Sequence, residues 1–127
     1  MFEPGSAELQ EKFREIMDEA TSLSTGVKAW MILSKEGLPI AQAVPEGLEE
    51  AEMAAMAAAI LGVADLAAER MDQGLLEEIL LTNEGGLMLI KSAGEAAILV
   101  LAAVKTMKPG LLVYAGKTAC DKIAPLL

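Results

Sequence analysis

The chain has 127 residues, 54% of them apolar, 23% charged, with a formal net charge of −9. That is enough chain to bury one core and too apolar a composition for a disordered segment. Two arginines, four aromatic residues and no histidine exclude histidine-based triads and leave neither the basic patch nor the stacking platform that nucleic acid requires.

Pro4-Gly5-Ser6 opens the chain, with Ser6 placed to cap a helix. Leu9, Phe13, Ile16, Met17, Ala20 and Leu23 recur at helical spacing, which predicts an amphipathic helix over 7–23. Val27 to Leu33 is rich in β-formers and apolar at consecutive positions, as in a strand covered on both faces. Lys35-Glu36-Gly37 suits a hairpin loop closed by glycine in the left-handed region. A shorter strand, Leu38 to Ala43, returns and stops before Pro45. A long helix is expected from Leu48 to Met71, with Gly74 as its stop signal. Three strands follow: Leu76 to Thr82, Gly86 to Ser92 and Ala97 to Val104, joined by glycine-containing turns. Ala97 to Val104 is wholly apolar and belongs mid-sheet. Pro109-Gly110 then starts a last helix, with Leu112, Ala115, Ala119, Ile123 and Leu126 near one face. The order is α-β-β-α-β-β-β-α.

The long apolar runs, Met53–Ala64 and Ala96–Val104, are shorter than the ~20 residues that cross a bilayer. No basic stretch followed by an apolar one marks the N-terminus. Neither secretion nor direct membrane insertion is expected. The lone cysteine, Cys120, has no partner for an internal disulfide, so a reducing, cytoplasmic setting is the default. No metal site, cofactor or catalytic residue is expected. Glu49, Glu50 and Glu52 crowd a helix start, where the dipole favours negative charge, and adjacent Glu77 and Glu78 would point to opposite faces of a strand.

On a helical wheel, Met53, Met56, Ala57, Ile60, Ala64, Ala67 and Met71 of the second helix fall together and should pack on the sheet. The opposite side carries Ala51, Ala55, Ala58, Ala59, Gly62 and Leu66, with Asp65 and Glu69 along its margin. Alanine is the best helix former, and propensity alone accounts for many surface alanines. It does not account for Gly62, which costs about 1 kcal/mol relative to alanine in a helix, nor for an outward Leu66. The outward stripe is therefore expected to be a contact surface, most simply with its own copy about a two-fold axis.

"GLLVYAGKT", Gly110 to Thr118, resembles a phosphate-binding loop but has five residues, not four, before Gly-Lys-Thr. Helix, with Lys117 and Lys122 solvated, is the expected state.

Together "GVKAWMILSKEGLPIAQA", "MAAMAAAILGVADLAAER" and "EILLTNEGGLMLIKSAGEAAILVLAA" resemble the Roadblock family: its opening hairpin, its alanine-rich second helix and its three closing strands. The resemblance covers about 7–123 of a single domain spanning 1–127. It implies an α+β fold, a five-stranded antiparallel sheet between one helix and a pair of helices. It also implies a homodimer in which second helices pack together and third strands join edge to edge, adding Leu76, Glu78 and Leu80 to the interface. Family members are generally non-catalytic platforms for a small Ras-like GTPase. Arginine fingers would have to be Arg14 or Arg70, neither of which is on a projecting loop; a helical ion pair is the more ordinary role. Asp65, Glu69 and Arg70 are the expected partner-facing charges. A ligand-sensing module of similar layered fold is the alternative, and its mark would be a pocket with convergent polar groups.

Overall fold

The computed structural model describes residues 5–22 and 24–127; Pro4 and the expected helical position Leu23 lie outside them. Helix α1 (Ala7–Ala20) begins where Ser6 Oγ accepts the Leu9 amide at 3.1 Å, an N-cap that satisfies one orphan donor. Strands β1 (Val27–Ser34) and β2 (Pro39–Ala43) form the expected hairpin. Gly37, at φ +91°, closes its turn, and the Gly37 amide donates to the Ser34 carbonyl at 2.9 Å. Helix α2 (Glu50–Arg70) leads to β3 (Ile79–Asn83), β4 (Gly86–Ala93), β5 (Ala97–Ala103) and α3 (Pro109–Ile123). All five strands pair antiparallel in the order β2-β1-β5-β4-β3, leaving β2 and β3 as edges. The α+β order expected from the sequence holds.

The sheet has two unlike faces. On one, Leu9, Phe13 and Met17 of α1 and Leu112, Ala119 and Ile123 of α3 cover Ile32, Leu89, Leu99 and Leu101. Alternate residues of the same strands, Met31, Leu33, Ile90, Ile98 and Val100, turn to α2. This two-sided burial explains the near-continuous apolar β5. Helix α3 lies close to the sheet at Gly116, where a Cβ would come within 2.2 Å of Leu89 Cδ2.

The glycine-lysine stretch 110–118 is helical, as expected, and Leu112, Ala115 and Gly116 are buried within it. Lys117 pairs with Asp121 at 3.2 Å, and Lys122 pairs with Glu19 of α1. The two lysines are thus partnered rather than simply solvated, because each has a carboxylate within reach on its own helix or the adjoining one.

Candidate functional site

Helix α2 is short of its own core. Ala54, Ala57 and Leu61 are its buried residues, with Met53, Ala58 and Ile60 partly buried beside them. Met56 is 46% exposed, Val63 69% and Leu66 48%. Each is already part-buried, so burying the rest would gain about 1–2 kcal/mol. By length and composition Glu50–Arg70 is even long and apolar enough to cross a membrane; here its inner line rests on the sheet.

The structure turns the helix relative to the sequence expectation. Met56, Ala67 and Met71, expected against the sheet, are exposed, whereas Ala54 and Leu61 take that place. Ala58, expected in the outward stripe, is partly buried against its own core. The reason is the β1–β2 turn. A Cβ placed on Gly37 would lie 3.2 Å from Ala58 Cβ and 3.3 Å from the Ala55 Cα. Small residues at 54, 55 and 58 let this turn approach the helix, so part of the alanine stripe has an internal use.

Ala51, Ala59, Gly62 and Leu66 are exposed, as is Ala55 beside the turn. Nothing lies within 4 Å of a Cβ placed on Gly62, so no contact within the described residues requires a glycine there. Ala59, Ile60, Val63, Ala64 and Ala67 together line an almost wholly apolar open groove on this helix. Val63 within the groove and Met56 outside its lining, both missed as outward residues, are large members of the exposed stripe. Their spacing to Ile60 was visible in the sequence, but a wheel crowded with alanine does not say which way it faces.

The helix runs from one edge of the sheet to the other. It starts by the β1–β2 turn at the β2 edge, and its late residues Asp65, Glu69 and Asp72 line one hollow with Leu76, just ahead of β3. At 1.5 Å per residue, 21 residues make about 31 Å. The second half of α2 lies beside the chain that returns into β3, where Ala68 shares a hollow with Leu76, Glu77 and Glu78. A Schellman exit ends it: the Asp72 amide donates to Glu69 O at 3.0 Å and the Gln73 amide to Ala68 O at 2.9 Å, with Asp72 at φ +57°. The stop comes two residues before Gly74. Beyond it, Met71 is 71% exposed and Leu75 95%.

The third strand starts at Ile79, three residues later than expected. Leu76 lies before it and packs on the α2-side core, and Glu78 also precedes it, paired with Lys91 at 3.7 Å. Of the three residues expected at the strand edge, Leu80 alone lies within β3, exposed. Asp65 and Glu69 share a hollow, while Arg70 sits about 100° further round the helix. All three are exposed, and neither Arg14 nor Arg70 makes an ion pair among the described residues.

Beside the start of α2 the sheet face is incompletely covered. An apolar hollow of about 180 Å³ opens there. Ala29, Trp30, Met31, Met88 and Ala102 come from the strands, and Leu48 and Met53 from the approach to the helix and its first turn. It presents no polar surface to orient a small ligand. Among the described residues no cluster of acids and cysteine suits a metal ion. Cys120 is buried between α3 and the sheet, and burial pushes its thiol pKa up to about 12, against the smaller opposing pull of Lys91; such a thiol is a poor nucleophile.

The Roadblock/LC7 domain model matches residues 14–103, from α1 to the end of β5. The chain belongs to the Roadblock/LC7 family. An uncharacterised protein of Methanocaldococcus jannaschii is 36% identical over 98 residues, 77% of this chain and 85% of that relative. The gliding protein MglB of Thermus thermophilus superposes with a TM-score of 0.84 at 20% identity, covering 98% of this chain and 97% of that one. A second MglB structure, described as having a tetrameric arrangement, gives 0.85 at 20% identity with 98% and 96% covered. At that identity the likeness is one of fold, and it extends over the α2 face and the β3 edge of this Roadblock/LC7 domain.

Proposed function

We propose that this Roadblock/LC7 domain is a non-catalytic, cytoplasmic scaffold that acts as a homodimer and binds a small Ras-like GTPase, anchoring it or modulating its hydrolysis of GTP. The observation that carries this reading is the exposed apolar face of α2, whose late residues lie beside the chain entering the β3 edge. A face of that kind marks an interaction surface, and the edge strand beneath it is otherwise open to pairing. The dimer surface comprises Ala51, Ala55, Ala59, Gly62 and Leu66, with Met56 and Val63 added, and Leu80 on the adjoining strand edge. Leu76, Glu78 and Ala58 border it while serving their own domain. MglB, a neighbour in fold, has been described in a tetrameric arrangement, which supports assembly between copies.

The GTPase comes from the family resemblance. Asp65, Glu69 and Arg70 are the charges placed to meet it, and a net charge of −9 favours a partner with a basic face and a fast encounter. The ligand-sensor alternative is less well supported, because the hollow beside α2 lacks polar groups.

Two measurements test the proposal. Light scattering should give twice the chain mass. The dimer, mixed with the small GTPases of the same cell, should co-elute with one of them and change its rate of GTP hydrolysis or fix its position. An intact dimer that retains none of these GTPases overturns the functional reading.

A further inference from the structure

We propose that Met56 is an oxidant-sensitive modification site: a hydroperoxide converts its thioether to the sulfoxide, and the sulfoxide keeps two copies from pairing through α2. This rests on the dimer proposed above and adds a chemical means of regulating it.

Exposure selects the residue. Among the described residues Met17, Met31 and Met107 are buried, and Met53 and Met88 are partly so, whereas Met56 and Met71 are open. Oxidation follows access to the sulfur, so the two vulnerable methionines belong to α2 and its C-cap. The thiol that a peroxide would otherwise meet first is closed off. Cys120 is the one cysteine of the chain and is buried, and that burial pushes its pKa up to about 12, which leaves almost no thiolate to react. Of the two open methionines, Met56 is the one tied to the apolar groove. It stands four residues ahead of Ile60 and seven ahead of Val63, one and two turns along the same side of the helix.

The chemistry is a two-electron oxygen transfer. The Met56 sulfur forms the new S–O bond with a lone pair as the peroxide O–O bond breaks. Sulfur is oxidised and the peroxide reduced, and the proton of the transferred oxygen passes to the departing one, which leaves as water when the reagent is hydrogen peroxide. An apolar, flexible side chain thereby becomes a polar one. Its new oxygen accepts hydrogen bonds, yet its neighbours one turn away are Glu52, Met53, Ala59 and Ile60. A carboxylate, a thioether and two aliphatic groups offer no side-chain donor. Water satisfies the oxygen while the face is open. A closed interface would bury an acceptor that its own helix leaves unpaired. The modified chain therefore favours the unpaired state, and pairing in turn shields the sulfur, so oxidation and association compete.

The test uses the full-length chain, hydrogen peroxide quenched with catalase, peptide mass spectrometry to follow each methionine, and sedimentation for the dissociation constant. Met56 and Met71 should oxidise well ahead of Met17, Met31 and Met107. Raising the protein concentration through the dissociation constant should slow oxidation of Met56 by about fivefold or more. Full oxidation should weaken the wild-type dimer by about tenfold or more, and Met71→Leu should respond in the same way. Met56→Leu, a volume-conserving change, should keep its dissociation constant within about twofold under the same treatment. Sulfoxide reductases for the two epimers should restore pairing of the oxidised wild type, a recovery that damage to folding would not give. If the dissociation constant is unchanged once Met56 is fully sulfoxide, or if Met56→Leu is weakened as much as the wild type, this site is wrong and the dimer reading survives. A wild type that remains monomeric at about 100 μM removes both.

Discussion

The two faces of the sheet are built from the same strands, yet one is closed and the other is not. The face under α1 and α3 carries a layer from Leu9 and Phe13 to Ile123 that the chain completes by itself. Under α2 the chain buries Ala54, Ala57 and Leu61, then leaves Met56, Val63 and Leu66 outside. Stability belongs mainly to the first face, and the proposed recognition to the second. The distinction follows from geometry: α3 is drawn close to the sheet at Gly116, whereas α2 sets only three buried side chains, two of them alanines, against its side.

The contrast is broken most strongly from the closed side. Phe13→Ala should cost about 3–5 kcal/mol in urea unfolding, because a fully buried ring leaves a cavity. Cys120 probes the same layer more gently. With its pKa pushed up to about 12 from 9.0, the folded thiol should hold about a thousandfold less thiolate than the unfolded one at pH 8, so alkylation should be slow until urea is added. The linkage has a definite sign: this contribution to stability is fully present below pH 9 and falls as pH rises toward 12. Rapid labelling of the folded chain at pH 8 would contradict that burial.

On the open side the effects should appear in association and spare the fold. Val63→Asp is expected to weaken the dimer about a hundredfold, since a charge is placed in a desolvated seam, while the circular dichroism of the chain stays as it was. Equal loss of fold and dimer would erase the distinction between the faces. The smallest effect is the most discriminating. Gly62→Ala should stabilise the helix by about 1 kcal/mol, because its surroundings within the chain are open. Gly62→Gln should keep most of that gain in the monomer yet weaken pairing. If Gly62→Gln pairs as tightly as the wild type, Gly62 lies outside the interface.

The order of elements was legible because each carried its own signal: the Ser6 cap, the Gly37 turn, the all-apolar β5 and the Pro109 start. The orientation of α2 was not. Alanine is compatible with burial and exposure alike, so a helix with alanine on every side has a weak preferred direction. The wheel gave weight to Met56 and Met71; the structure gives it to Leu61 and to the approach of the β1–β2 turn. The start of β3 was misplaced for a related reason. Leu76 is apolar because it packs beside the returning chain, and local pattern alone does not separate that from membership of a strand.

The close seating of Gly37 against Ala55 and Ala58 has a mechanical result. The helix cannot roll toward the hairpin without displacing it, so the turn acts as a backstop that holds Ala59 and Val63 on the outward side.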